Sequence, residues 1–109
     1  MTTITIMRPG ADTETQPIEV AAKPGYLALK SIVAPFLNGG MLEHVTVLHD
    51  GKRADMFVDD EGLLKGLPRN DAATVIYRNN WLTAHPKDDP ESLPAIYGPA
   101  VLFSRQVWF

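Results

Sequence analysis

The sequence predicts an α+β fold: a mostly antiparallel sheet of about four to six strands with two helices packed on one face. Three observations predict it. Short segments alternate apolar and polar residues at the period of a strand. Two longer stretches carry apolar residues at spacings of three and four, the period of a helix. The turns between alternating segments are tight, and tight turns join antiparallel neighbours.

Taken in order, Thr3 to Met7 reads as a strand, with Ile4 and Ile6 on one face and Thr3 and Thr5 on the other. Arg8-Pro9-Gly10 stops it. Ala11 to Gln16 is polar and reads as a loop, and Pro17-Ile18-Glu19-Val20 alternates again as a short strand paired with the first. Lys23-Pro24-Gly25 opens a helix, since proline is tolerated where a helix has no use for its N–H. Tyr26, Leu29, Ile32, Val33, Phe36 and Leu37 form its core stripe, Pro35 loosens its last turn, and Asn38-Gly39-Gly40 ends it.

Leu42 to His49 is the clearest strand, with Val45 and Val47 on one face and Leu42, Thr46 and Leu48 on the other. Asp50-Gly51 is a two-residue hairpin signal, because both positions accept positive φ. Arg53 to Val58 returns, with Met56 and Val58 alternating against Asp55 and Phe57. Asp59-Asp60-Glu61-Gly62 turns the chain, and Leu63-Leu64 continues the meander. Asn70 is a helix N-cap followed by Asp71, which suits the helix dipole. Ala72, Ala73, Ile76, Tyr77 and Trp81 make the inward face of that second helix. Pro86 to Pro94 is a polar loop, and Ile96 to Phe103 supplies the last strand with a bend at Gly98-Pro99.

The size and composition fit one domain. The chain has 109 residues, with 45% hydrophobic and 21% charged side chains, enough to bury one core without staples. Thirteen acidic against ten basic side chains give a net charge of -3, which lacks the basic footprint of a nucleic-acid binder. Cysteine is absent, so disulfides, thiolate metal sites and a cysteine nucleophile are excluded. No segment reads as a signal peptide or approaches the ~20 apolar residues of a membrane helix. The expected location is the cytoplasm, and no membrane partner is expected.

The stretch from Gly39-Gly40 to Thr74 carries a family resemblance. Gly40-Met41-Leu42-Glu43-His44-Val45 is similar to a glycine followed by a hydrophobic-Glu-x-hydrophobic strand. Phe57 to Leu64 is similar to an acidic turn before a leucine-containing strand, and Gly66-Leu67-Pro68-Arg69-Asn70 with Ala73-Thr74 to a Gly-Leu-Pro-x-Asn…Ala-Thr segment. Together these resemble a family of small phage, plasmid and prophage proteins whose domain has no assigned function. Tyr97-Gly98-Pro99-Ala100-Val101 is similar to its hydrophobic-Gly-x-hydrophobic final strand, with Pro99 a departure, and Gln106-Val107-Trp108-Phe109 lies outside the pattern. The resemblance implies a mobile-element setting, whose small proteins act on host machinery or defence systems. It transfers no catalytic residue.

The chemistry-bearing residues are few. His44 and His49, five apart, face opposite sides of one strand, and His85 stands alone, so the histidines predict no metal site. His49-Asp50 is better read as a turn than as a base with its orienting carboxylate. Asp59-Asp60-Glu61 lacks the spacing of a calcium loop and reads as a solvated turn. No nucleophile elbow, phosphate-binding loop or cofactor fingerprint is present, so no catalytic residue and no cofactor is assigned. Arg69, Asn70 and Arg78 lie around the start and outer face of the second helix, where Arg69 and Asn70 can hold an anion such as a phosphate in a pocket that would also collect Glu43; the favoured reading is Asn70 as a cap, the arginines as solvated charges and Glu43 in a salt bridge on an exposed sheet face. Trp81, Trp108 and Phe109 are candidates for contact with a protein partner or a second copy of the chain. The expected function is therefore non-enzymatic protein–protein interaction, with small-ligand binding through Arg69, Asn70 and Glu43 as the alternative.

Overall fold

A computed structural model describes residues 2–37 and 42–108. Asn38, Gly39, Gly40 and Phe109 lie outside the described residues, and so do the helix stop and the terminal contact read on them. Strands β1 (Thr2–Met7) and β2 (Glu14–Ile18) precede helix α1 (Tyr26–Val33). Strands β3 (Leu42–His49) and β4 (Lys52–Asp59), helix α2 (Asp71–Ala84) and strand β5 (Ala100–Phe103) follow. The five strands form one antiparallel sheet in the order β2-β1-β5-β4-β3, which is the α+β class the sequence predicts.

The β3–β4 hairpin turns on Asp50 and Gly51, at φ 53° and 76°. Two consecutive left-handed residues match the twist of the flanking strands. The register follows, with Val47 opposite Ala54 and His44 opposite Phe57. The last strand enters the middle of the sheet, between β1 and β4, and all four of its residues are buried.

The placement of the helices differs from expectation. Side chains alternate across a sheet, so Ile4, Ile6, Phe57, Val101 and Phe103 share one face, where Leu29, Val33 and Leu37 meet them. Met7, Val47, Ala54, Met56, Val58, Ala100 and Leu102 share the other face, where Ala73 packs with Ile76 and Tyr77. The two helices thus cover opposite faces rather than one. The reason is in β5: Ala100-Val101-Leu102-Phe103 is apolar without alternation, and such a run needs cover on both sides.

Smaller differences have local causes. Strand β2 begins at Glu14, inside the segment read as loop, because backbone pairing to β1 holds it although its side chains are exposed. Helix α1 ends at Val33 and passes into a 3-10 turn, Ala34–Phe36, that contains Pro35. Leu63 and Leu64 sit in a turn, 66% and 87% exposed, and do not extend the sheet.

Both sheet edges are blunted. The Thr3 carbonyl accepts from Ser104 N–H on the β5 side, so alternation aims the Ile4 backbone at β2 and leaves Pro17, opposite Thr3, with its nitrogen outward. Proline has no N–H to offer a further strand there. At the other edge Asn80 of α2 accepts from Leu48 N–H at 3.0 Å and donates to the Thr46 carbonyl at 3.3 Å. One amide side chain thereby imitates a neighbouring strand. Asn80→Ala is expected to cost about 1–2 kcal/mol and to add concentration-dependent association. Urea unfolding with light scattering checks both, and unchanged stability would show that the edge does not rely on Asn80.

Candidate functional site

The most concentrated polar chemistry lies where the sheet face under α1 meets the C-terminal segment. Asp55 sits on β4 between Ala54 and Met56, and its register partner is Thr46. Its side chain has no exposed surface. Oδ1 accepts from His44 Nε2 at 2.6 Å and from the Thr46 hydroxyl at 3.0 Å. Oδ2 accepts from the backbone N–H groups of Val107 and Trp108, at 2.6 and 2.7 Å. Burial alone would raise this carboxyl. The bonds from His44, Trp108, Val107 and Thr46 outweigh that effect and hold it below the ordinary aspartate value.

The consequence is a clamp on the chain after β5. Val107 is driven into the core with Leu29 and Phe57. Trp108 lies over His44, ring centroids 5.1 Å apart and 21° from parallel, with its edge toward Phe57. Tyr26, at the start of α1, meets it edge-on at 6.0 Å. Arg105 secures the same segment from below, through the Thr2 hydroxyl and the carbonyls of Ala21 and Ala22. The outer rims of both aromatic rings stay open: Tyr26 is 49% and Trp108 38% exposed. With Lys23, Gly25, Leu29 and Val107 they line a recess of about 270 Å³.

A histidine oriented by a buried carboxylate is half of an acid–base arrangement. The hydroxyl closest at hand, Thr46, is itself bonded to Asp55. The arrangement holds backbone and orients an indole. Sequence reasoning missed it. His44 and Asp55 are eleven residues apart and meet only through the hairpin register, and the readable signal was an aspartate sharing a strand face with Phe57.

The sequence-derived ligand residues are not gathered into one pocket. Asn70 is 1% exposed and caps α2 by accepting from Ala73 N–H. Its amide donates to the carbonyls of Met7 and Gly98, both at 2.9 Å, so every polar atom of the side chain is occupied. Arg69 turns to Asp71 at 3.2 Å. Glu43 lines a recess of about 100 Å³ with Asp59, Asp60, Leu63 and Tyr97 but neither Arg69 nor Asn70. Partial burial and the neighbouring Asp60 push the Glu43 carboxyl above its usual value, which marks an acidic corner unsuited to a phosphate.

The remaining candidates are tied to local structure. Trp81 stacks on His85 at 4.4 Å and donates to Asp88 at 2.8 Å, closing the end of α2 with 38% of its surface exposed. Arg78, read as a solvated charge, is largely buried and donates to the Leu93 carbonyl, fastening the 86–94 loop. Asp59 pairs with Lys65 at 2.8 Å and accepts from Glu61 N–H. Among the described residues, no group of three or more His, Asp or Glu could hold a metal ion. No helix among them is long and apolar enough to cross a membrane.

Two variants test these assignments. Asn and Asp cap helices equally well, yet Asn70→Asp removes both amide donors and sets a carboxylate against two carbonyls. It is expected to cost on the order of 2–4 kcal/mol in denaturant unfolding; a near-neutral exchange would mean that only the cap matters. Asp55→Asn is expected to cost a similar amount at neutral pH, on the order of 2–4 kcal/mol. Because the folded-state pKa of Asp55 is depressed, its contribution is complete above the unfolded value of about 3.9 and fades as pH falls through the folded one. The gap between wild type and variant should therefore close as pH falls below the unfolded value and through the lower folded one. A gap of constant size would show that the charge is not what holds the segment.

In comparisons with known proteins, the chain matches no protein-family model, no curated protein and no solved structure.

Proposed function

We propose that this protein is a non-enzymatic interaction protein that binds a protein partner through the Tyr26–Trp108 surface. The observation that supports the reading is an aromatic pair held rigidly yet left half open. The Trp108 backbone is bonded to a buried carboxylate, its ring is stacked on His44, and Tyr26 braces it edge-on. Tryptophan and tyrosine dominate interface hot spots, and an anchor ordered before binding gives up little entropy on association.

The recess beside the pair is of a size for one large apolar side chain, and Leu27, 79% exposed, adds apolar surface next to Tyr26. Pro17 and Asn80 blunt the two sheet edges, so the partner meets side chains rather than adding a strand. That the partner is a host protein, and the setting a mobile element, rests on the family resemblance of the Gly66–Asn70 and Phe57–Leu64 segments. The alternative ligand reading at Arg69, Asn70 and Glu43 loses support, since Asn70 is fully bonded and Glu43 lies in an acidic corner.

The test compares wild type with Trp108→Ser, which keeps the backbone bonds to Asp55 and removes the anchor. Native mass spectrometry of each, purified from a host-like lysate, is expected to find the wild type in a stoichiometric heteromeric complex and the variant alone. A wild type that is a bare monomer, or a complex unchanged by Trp108→Ser, would sink this reading. A homodimer lost in the variant would replace the foreign partner with a second copy.

A further inference from the structure

The sheet face under α2 is not covered along its whole length. Toward the β3–β4 turn it opens into a recess of about 310 Å³. Its floor is small and apolar: Ala54 and Leu102, 3% and 4% exposed. One wall carries the hydroxyls of Thr3, Thr5 and Ser104; the other is the hairpin end with His49, Asp50 and Lys52.

The side-chain pattern of β1 gives this recess its character. On the face under α1 the strand reads Ile4 and Ile6, both buried. On the recess face it reads Thr3 and Thr5, and becomes apolar only at Met7, which packs in the cluster that Ala73 of α2 completes. The chain is therefore polar here by composition, which does not suit a docking surface for another protein. The donors are available. Ser104 Oγ accepts from Thr3 N–H at 3.0 Å, which leaves its own O–H to donate. The hydroxyls of Thr5 and Thr15 share a single bond at 3.0 Å. Lys52 has no ion-pair partner among the described residues, while Asp50 lies 3.6 Å from His49. A cation and hydroxyl donors around an apolar floor form the usual layout of a small-molecule site.

We propose that this recess binds the oxyanion end of a small organic molecule, a phosphate monoester or a carboxylate, with the ammonium of Lys52 and the hydroxyls of Thr3 and Ser104 on the anion and Ala54 and Leu102 under its carbon body. The site lies on the opposite sheet face from Tyr26 and Trp108 and does not depend on the partner reading.

Amide NMR titrations with inorganic phosphate, phenyl phosphate and benzoate test it. Saturable shifts are expected at Thr3, Thr5, Lys52 and Ser104, with phenyl phosphate binding more tightly than inorganic phosphate because of the apolar floor. Whether phenyl phosphate or benzoate binds tighter assigns the anion to one of the two classes. Lys52→Gln changes an exposed residue and leaves the fold intact, and it should weaken binding about tenfold. The proposal is overturned by the absence of saturable shifts with all three probes, by shifts centred on Arg69, by equal affinity for the two phosphates, or by unchanged binding in Lys52→Gln.

Discussion

The carboxylate of Asp55 carries a charge into a place with no solvent, and four donors converge to make that tolerable. Two come from side chains of β3 and two from the backbone after β5. A buried charge with fewer partners would destabilise the fold or neutralise itself. The requirement for four donors therefore fixes the β3–β4 register, the path of the C-terminal segment and the depth of Val107 at once. Helix α1 packs against the surface that results, since Leu29 and Val33 share a cluster with Val107 and Phe57. The orientation of the Trp108 indole is the visible outcome of a constraint set several ångströms below it.

The sequence made much of the frame legible, for identifiable reasons. The β3–β4 hairpin combined alternation with an Asp-Gly turn, and both signals are local. The start of α2 was legible because capping chemistry is local too. What escaped was either non-local or carried by the backbone. Strand β2 begins with Glu14-Thr15-Gln16, an exposed edge with no apolar period, so only its pairing to β1 reveals it. The division of the helices between two faces depends on which faces of β4 and β5 are left bare, although the unbroken apolar run at 100–103 held the clue.

The candidate site was less legible than the fold. Asn70 was recognised as a cap, but its two long-range bonds to Met7 and Gly98 carbonyls are invisible in one dimension. Trp108 was singled out from its size and position, and its partners were not, because His44 and Asp55 reach it only through a cross-strand register. Arg78 misled in the opposite sense: a charge on a helix reads as solvated until a loop folds over it.

The sheet order has a bearing on how the chain comes off the ribosome. Strands β1 and β2 form one hairpin and β3 and β4 another, each assembled from neighbouring sequence. Only β5, made after all of them, joins the two, by slotting between β1 and β4. During synthesis the chain passes through a stage with two incomplete half-sheets, each showing an unfilled inner edge. The safeguards at Pro17 and Asn80 protect the outer edges and do nothing for these. This is the stage at which a nascent chain is most exposed to mispairing.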